Sequence, residues 1–173
     1  MNDILNIITS RRSVKNFKPN MVDGKLIEKV ITAGTFAPSG KNLQSPIIIA
    51  ITNKEVRDEL SKICAQLRSI NLDPFYGAPV ILVVLANKSV PTYLYDGSCV
   101  MENMLLEAHS LGLGACWIHH AKQVFETDYG KNLLNSLGVQ GEYEGIGHCV
   151  IGYSEKQNVN KIQRKENYVY RVK

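Results

Sequence analysis

Ile47-Ile48-Ile49-Ala50-Ile51 is short, continuous and rich in β-branched residues. Such a run predicts a strand buried on both faces, so helices must cover the sheet from either side. Working outward, a helix from Lys54 to Gln66 carries Val56, Leu60, Ile63 and Leu67 on one stripe and charges on the other. A second buried strand runs from Val80 to Ala86 after Pro79, and a third, Ala115-Cys116-Trp117-Ile118, ends in His119-His120. Between them Asp96 to Leu111 forms the most apolar helix of the chain, greasy over more than half its circumference, and so central or at a subunit interface. A helix near Asp128 to Leu137 precedes the last strand, Gly147 to Gly152. Toward the N-terminus, Phe36 to Pro46 reads as a loop, a helix spans Asp23 to Gly34, and Asp3 caps a short helix through Ile8. This alternation predicts one layered α/β-type domain over residues 1–173 with a mostly buried sheet.

Charge concentrates where that first helix ends, in Ser10-Arg11-Arg12-Ser13-Val14-Lys15-Asn16-Phe17. Arginine forks match two phosphate oxygens at once, while lysine adds a point charge and serine a short donor, so the cluster suits a phosphate. The loop Pro38-Ser39-Gly40-Lys41-Asn42-Leu43-Gln44-Ser45-Pro46 joins backbone freedom to the two-sided hydrogen-bonding groups of Asn42 and Gln44. The tail from Ile162 to Lys173 sets Arg164, Lys165 and Arg171 among tyrosines.

Other chemistries are disfavoured. A net charge of +4, from 20 basic and 16 acidic residues, is too mild for a dedicated nucleic-acid binder but accommodates an anionic ligand. Cys64, Cys99, Cys116 and Cys149 are far apart in apolar surroundings, so neither a CxxC pair nor a zinc knuckle is available, and reduced thiols of a cytoplasmic protein are expected. The apolar run Ile4 to Ile8 is too short for a signal peptide, and no run approaches the ~20 residues of a membrane span. Gly112-Leu113-Gly114 and Gly145-Ile146-Gly147 lack the third glycine of a dinucleotide fingerprint. The histidines lack carboxylates at ligand spacing, and His119 and His120 should point to opposite faces of a strand, so no metal is expected.

Taken in order, Ser10 to Phe17, Ala37 to Gln44, Gly112-Leu113-Gly114-Ala115-Cys116-Trp117-Ile118, and Gly152-Tyr153 followed by Arg164-Lys165 carry an end-to-end resemblance to the short, single-domain members of the FMN-dependent nitroreductase family. The resemblance implies an α+β fold, a three-layer α/β/α sandwich around a central mixed, mostly antiparallel sheet, dimerising through the helix Asp96 to Leu111. It implies tightly bound FMN at the subunit interface and NAD(P)H as a transient reductant in a ping-pong cycle. Nitroaromatic, quinone or related small-molecule acceptors are implied, with no nucleic-acid or membrane partner. Arg11, Arg12, Ser13 and Lys15 match phosphate and ribityl contacts, and Arg164 with Lys165 closes on the same phosphate. Pro38, Ser39, Asn42 and Gln44 match a loop that meets the flavin from the partner subunit. Trp117, Ile118 and His119 match the strand end whose backbone faces the ring.

The flavin carries the chemistry in such enzymes, so no side chain is assigned a catalytic role. Where the family has small residues after that strand, this chain places His119-His120, and an imidazole at the pocket would make acceptor preference pH-dependent. Two other readings stand beside this one: a flavoprotein of the same fold acting on enones, free flavin or halogenated compounds, and a non-enzymatic anion-binding module built on the same basic residues.

Overall fold

The computed structural model describes residues 4–154 and 163–173. Six helices, α1 (Ile4–Ser10), α2 (Gly24–Thr35), α3 (Lys54–Leu67), α4 (Tyr93–Ser110), α5 (Ala121–Glu126) and α6 (Asp128–Ser136), and four strands, β1 (Pro46–Ile51), β2 (Val80–Asn87), β3 (Gly114–Ile118) and β4 (Tyr143–Gly152), are present among them. Asp3, expected to cap α1, and Ile162, at the start of the expected tail, lie outside the described residues.

The strands lie in the order β1-β2-β4-β3, and every pairing between them is antiparallel. A parallel element enters only as an isolated bridge, Ser13 to Ala115, where the N-terminal segment lies along β3. β2 shows why an unbroken apolar run is needed. Val80, Leu82 and Val84 enter one core with Val30 of α2 and Met101, Met104 and Leu105 of α4. Ile81, Val83 and Leu85 enter a second core with Leu60 and Cys64 of α3, Val124 and Phe125 of α5, and Phe75. Successive strand residues face opposite ways, so both sheet faces are helix-covered and the result is the expected α/β/α sandwich.

Several expectations need correction. Ile47 to Ile51 is not buried on both faces: β1 is an edge strand, with Ile47 and Ile48 half-buried and Ala50 exposed, because only β2 pairs with it. α5 carried no helical signal long enough to separate it from α6. α4 begins at Tyr93, three residues before the expected Asp96, and β4 begins at Tyr143 rather than Gly147. Two strong caps set helix starts: Asp23 accepts from the Lys25 N–H and Asn53 from the Val56 N–H.

Candidate functional site

The basic stretch is laid onto the edge of β3. The Val14 N–H donates to the Ala115 carbonyl at 3.0 Å, and further on Lys18 N–H donates to Tyr153 at 2.8 Å. These bonds leave Ser13 and Lys15 exposed on either side of Val14. Arg11 extends α1 through its N–H to the Ile7 carbonyl, and its guanidinium lies half-buried. The Arg11 Nη1 atom is buried and has no hydrogen-bond partner among the described residues. A desolvated guanidinium nitrogen without an acceptor is costly, and an anionic ligand is the natural remedy. Arg12 differs, since its Nη1 donates to the carbonyls of Thr9 (2.8 Å) and Arg11 (2.7 Å) at the end of α1. Burial pushes the Cys116 thiol up, while Ser13, Lys15 and Arg11 pull the other way, which locates all three around that β3 position. Ser10 Oγ lies 2.8 Å from His109 Nε2, tying the cluster to the C-terminal end of α4. Arg11, Ser13 and Lys15 therefore offer the donors a phosphate needs.

At the other end of β3 the expected residues separate. Trp117 turns its side chain toward α2 and α4, and Ile118 faces the α3–α5 core. Gly147 makes room for the indole: a Cβ there would lie 2.3 Å from Trp117 Nε1. Neither side chain is free at the strand end, so backbone and the exposed His119 are what this end presents. His119 and His120 do not point to opposite faces. His120 takes φ 74° as the residue before α5, reversing the chain and bringing the two rings to 4.9 Å in an edge-on contact. Below them His148 is wholly buried, its ring 5.1 Å from Phe75, and burial lowers its pKa to about 4. Burial also lowers the pKa of His120, aided by His119 and Arg68.

Pro38, Ser39, Asn42 and Gln44 sit on a segment that leaves α2 and enters β1. It carries a 3-10 turn at Gly40–Asn42 and three non-glycine residues of positive φ: Lys41 (52°), Asn42 (55°) and Gln44 (48°). Such conformations cost of order 1–3 kcal/mol each and persist where the surroundings impose them. Flanking these residues is Asp96, which stands in the first turn of α4. Its carboxylate, 3% exposed, accepts from the Gly40 N–H at 3.0 Å, the Ser45 hydroxyl at 2.9 Å and the Thr92 hydroxyl at 3.0 Å. Ser39 Oγ accepts from the Gln44 N–H at 3.0 Å, and Gln44 Nε2 donates to Asn42 Oδ1 at 3.3 Å. A cavity of about 320 Å³ opens beside Pro38, Ser39 and Gln44, floored by Ile31 and Val100. Three acids lie on α4, and of these Asp96 alone is buried, a difference that the sequence does not carry.

The site residues are thus divided. Arg11, Ser13 and Lys15 share the β3 edge, whereas the Pro38 to Gln44 loop precedes β1 at the opposite edge, three strand spacings or about 14 Å across the sheet. Arg164 and Lys165 are exposed, with the Lys165 ammonium 5.3 Å from the Tyr168 ring centroid, and their approach to Arg11 is not seen among the described residues. Tyr76, not singled out in the sequence, stands beside Lys15, with the ammonium 6.0 Å from its ring centroid. Its positive φ of 56° is held by Asp73, which accepts from the N–H groups of Phe75 and Gly77, from Ser61 and from Arg57. Burial raises the Asp73 pKa, but Arg57, Ser61 and these N–H groups together bring it below the ordinary value.

Comparison with known proteins bears on the fold and the family. A protein of Methanothermobacter thermautotrophicus, provisionally named an NADH dehydrogenase/NAD(P)H nitroreductase, is 29% identical over 119 residues, 66% of this chain and 60% of its own length. The chain thus matches less than two-thirds of that relative. The crystal structure of a nitroreductase with bound FMN from Bacteroides fragilis superposes with a TM-score of 0.87 at 25% identity, covering 100% of both chains. A second nitroreductase with bound FMN, from Desulfitobacterium hafniense, gives 0.86 at 24% identity over 99% of this chain and 100% of its own. The model of the nitroreductase family matches residues 8–153, from the end of α1 to the residue after β4, and the chain therefore belongs to the nitroreductase family.

Proposed function

We propose that this protein is an FMN-dependent oxidoreductase that takes reducing equivalents from NAD(P)H and passes them to nitroaromatic, quinone or related acceptors in a ping-pong cycle. The observation that carries the reading is the buried, partnerless Arg11 Nη1 beside Ser13 and Lys15 on β3. These residues fit a phosphate monoester, and the FMN bound in the Bacteroides fragilis neighbour suggests the identity of the group. When bound, FMN supplies the redox chemistry, accepting hydride from the nicotinamide and returning electrons to the acceptor. The chain's part is to hold the phosphate at Arg11, Ser13 and Lys15, with Arg12 braced beside them on the end of α1, to close on it with Arg164 and Lys165, and to face the ring with the backbone of the strand end from Trp117 to His119.

The loop residues Pro38, Ser39, Asn42 and Gln44 enter this reading through a second copy of the chain. A loop at one sheet edge and a basic cluster at the other complete two equivalent sites when two copies pack with α4 reversed. The exposed surface favours this: Phe36 is 81% exposed and Tyr95 74%, and Ile4, Ile8 and Phe36 line an apolar groove with Leu106 of α4. No helix among the described residues is long and apolar enough to cross a membrane. A cytoplasmic, single-domain enzyme is part of the proposal.

Purified protein tests the assignment. It is expected to be yellow, to sediment as a dimer, to release FMN on denaturation and to oxidise NAD(P)H in the presence of a quinone or nitroarene. Protein that binds no added FMN would overturn it, and a flavoprotein inert to every nitro compound would transfer it to another acceptor class.

A further inference from the structure

The Asp96 carboxylate is buried with no cation paired to it among its described contacts, and its oxygens are occupied by neutral donors from two separate segments. A role confined to the α4 dipole would need only a position in the first turn, where the carboxylate could stay solvated. Instead it reaches both ends of the Ser39 to Ser45 segment, through the Gly40 N–H and the Ser45 hydroxyl, while Thr92 braces it from the residue before α4. The surrounding backbone leaves little freedom. A Cβ on Gly40 would lie 2.4 Å from Thr92 Oγ1, and one on Gly97 would lie 2.5 Å from Ile146 Cγ1, so the loop touches the residue that caps α4 and α4 touches β4 directly. Between the two anchored ends lie the three positive-φ residues Lys41, Asn42 and Gln44.

We infer that Asp96 is the positioning residue of the cofactor loop: by fixing Gly40 and Ser45 it imposes the left-handed backbone that aims Asn42 and Gln44, and so sets the polar contacts offered to a flavin ring. The inference rests on the proposed assignment of that loop to FMN, but the clamp itself does not, and the two can be tested apart. Asparagine at position 96 keeps an acceptor for Gly40 and an amide that can donate to either hydroxyl oxygen, so it should preserve the loop. Alanine removes all three bonds.

The experiment compares wild type, D96N and D96A by tryptic cleavage after the exposed Lys41 in the apoprotein, by fluorescence titration with FMN, and by visible circular dichroism of the FMN-loaded protein. D96A is expected to be cut after Lys41 about tenfold faster, to bind FMN about tenfold more weakly and to give an altered flavin dichroism, with D96N close to wild type in all three. Unchanged Lys41 cleavage in D96A would overturn the clamp, and faster cleavage with unchanged FMN affinity and dichroism would overturn its role toward the cofactor. Failure of the wild type to bind FMN would instead overturn the proposed function while leaving the cleavage result readable. Should D96A not fold, S45A releases one end of the loop alone and is expected to shift the same readouts by a smaller factor, and no shift in S45A would count against the inference.

Discussion

The two ends of α4 solve opposite problems. At its N-terminus a buried carboxylate is fully engaged by donors of its own chain, and the loop it holds is bent into conformations that other contacts must sustain. Near its C-terminus the basic segment does the reverse, leaving Arg11 Nη1 buried without an acceptor among the described residues and exposing Ser13 and Lys15. One end engages its polar groups within the chain, and the other leaves them open, which is why a ligand is proposed there. A site built this way has its geometry and its charge in separate places, and the proposed dimer is what would bring them together.

The comparison can be broken first at the charged end. R11A removes the desolvated donor and should weaken FMN binding by roughly 10- to 100-fold while leaving thermal stability unchanged or improved, since a buried unsatisfied group disappears with it. Equal loss of stability and affinity would show that Arg11 is structural. Fluorescence titration and a melting curve on the same sample separate the cases.

Beneath the strand end, His148 predicts a pH effect. Its folded pKa is lowered from 6.5 to about 4, so the unfolded chain takes up a proton that the folded one refuses. Its contribution is complete above about pH 6.5 and is lost as pH falls toward 4, by about 3 kcal/mol across that window. Urea denaturation at several pH values should show this slope, and H148L should flatten it. An unchanged slope in H148L would place the acid sensitivity elsewhere.

Between the two ends, the sheet is indifferent to the ligand. L82A in the centre of β2 should cost about 2–5 kcal/mol of stability, with FMN affinity retained in the folded fraction. A smaller effect is expected at the Asn53 cap of α3, where N53A should cost about 1 kcal/mol and leave the site untouched. Either variant changing the flavin spectrum would undo the separation of core from site.

Much of this was legible in the sequence for physical reasons. The β2 run and the stripe of α3 declare themselves because burial on two faces, or on one, dictates their periodicity. The order of Arg11, Asn42, Trp117 and Arg164 pointed to the family. What stayed hidden depends on long-range contact. Nothing local in Ile47 to Ile51 distinguishes an edge strand from a central one, and the left-handed turn at His120 that brings two imidazoles together is fixed by α5 packing on β4. Asp96 escaped notice because its partners, Gly40 and Ser45, lie more than fifty residues away. The unpaired state of Arg11 Nη1 is a property of burial that no motif encodes.

The most direct test is the visible absorption spectrum of the purified protein and of R11A, followed by identification of any cofactor released. The account predicts a flavin spectrum for the wild type, FMN as the released species, and a largely colourless R11A that regains colour only at high added FMN. A colourless wild type that takes up no FMN, or an R11A that keeps its flavin in full, would contradict it.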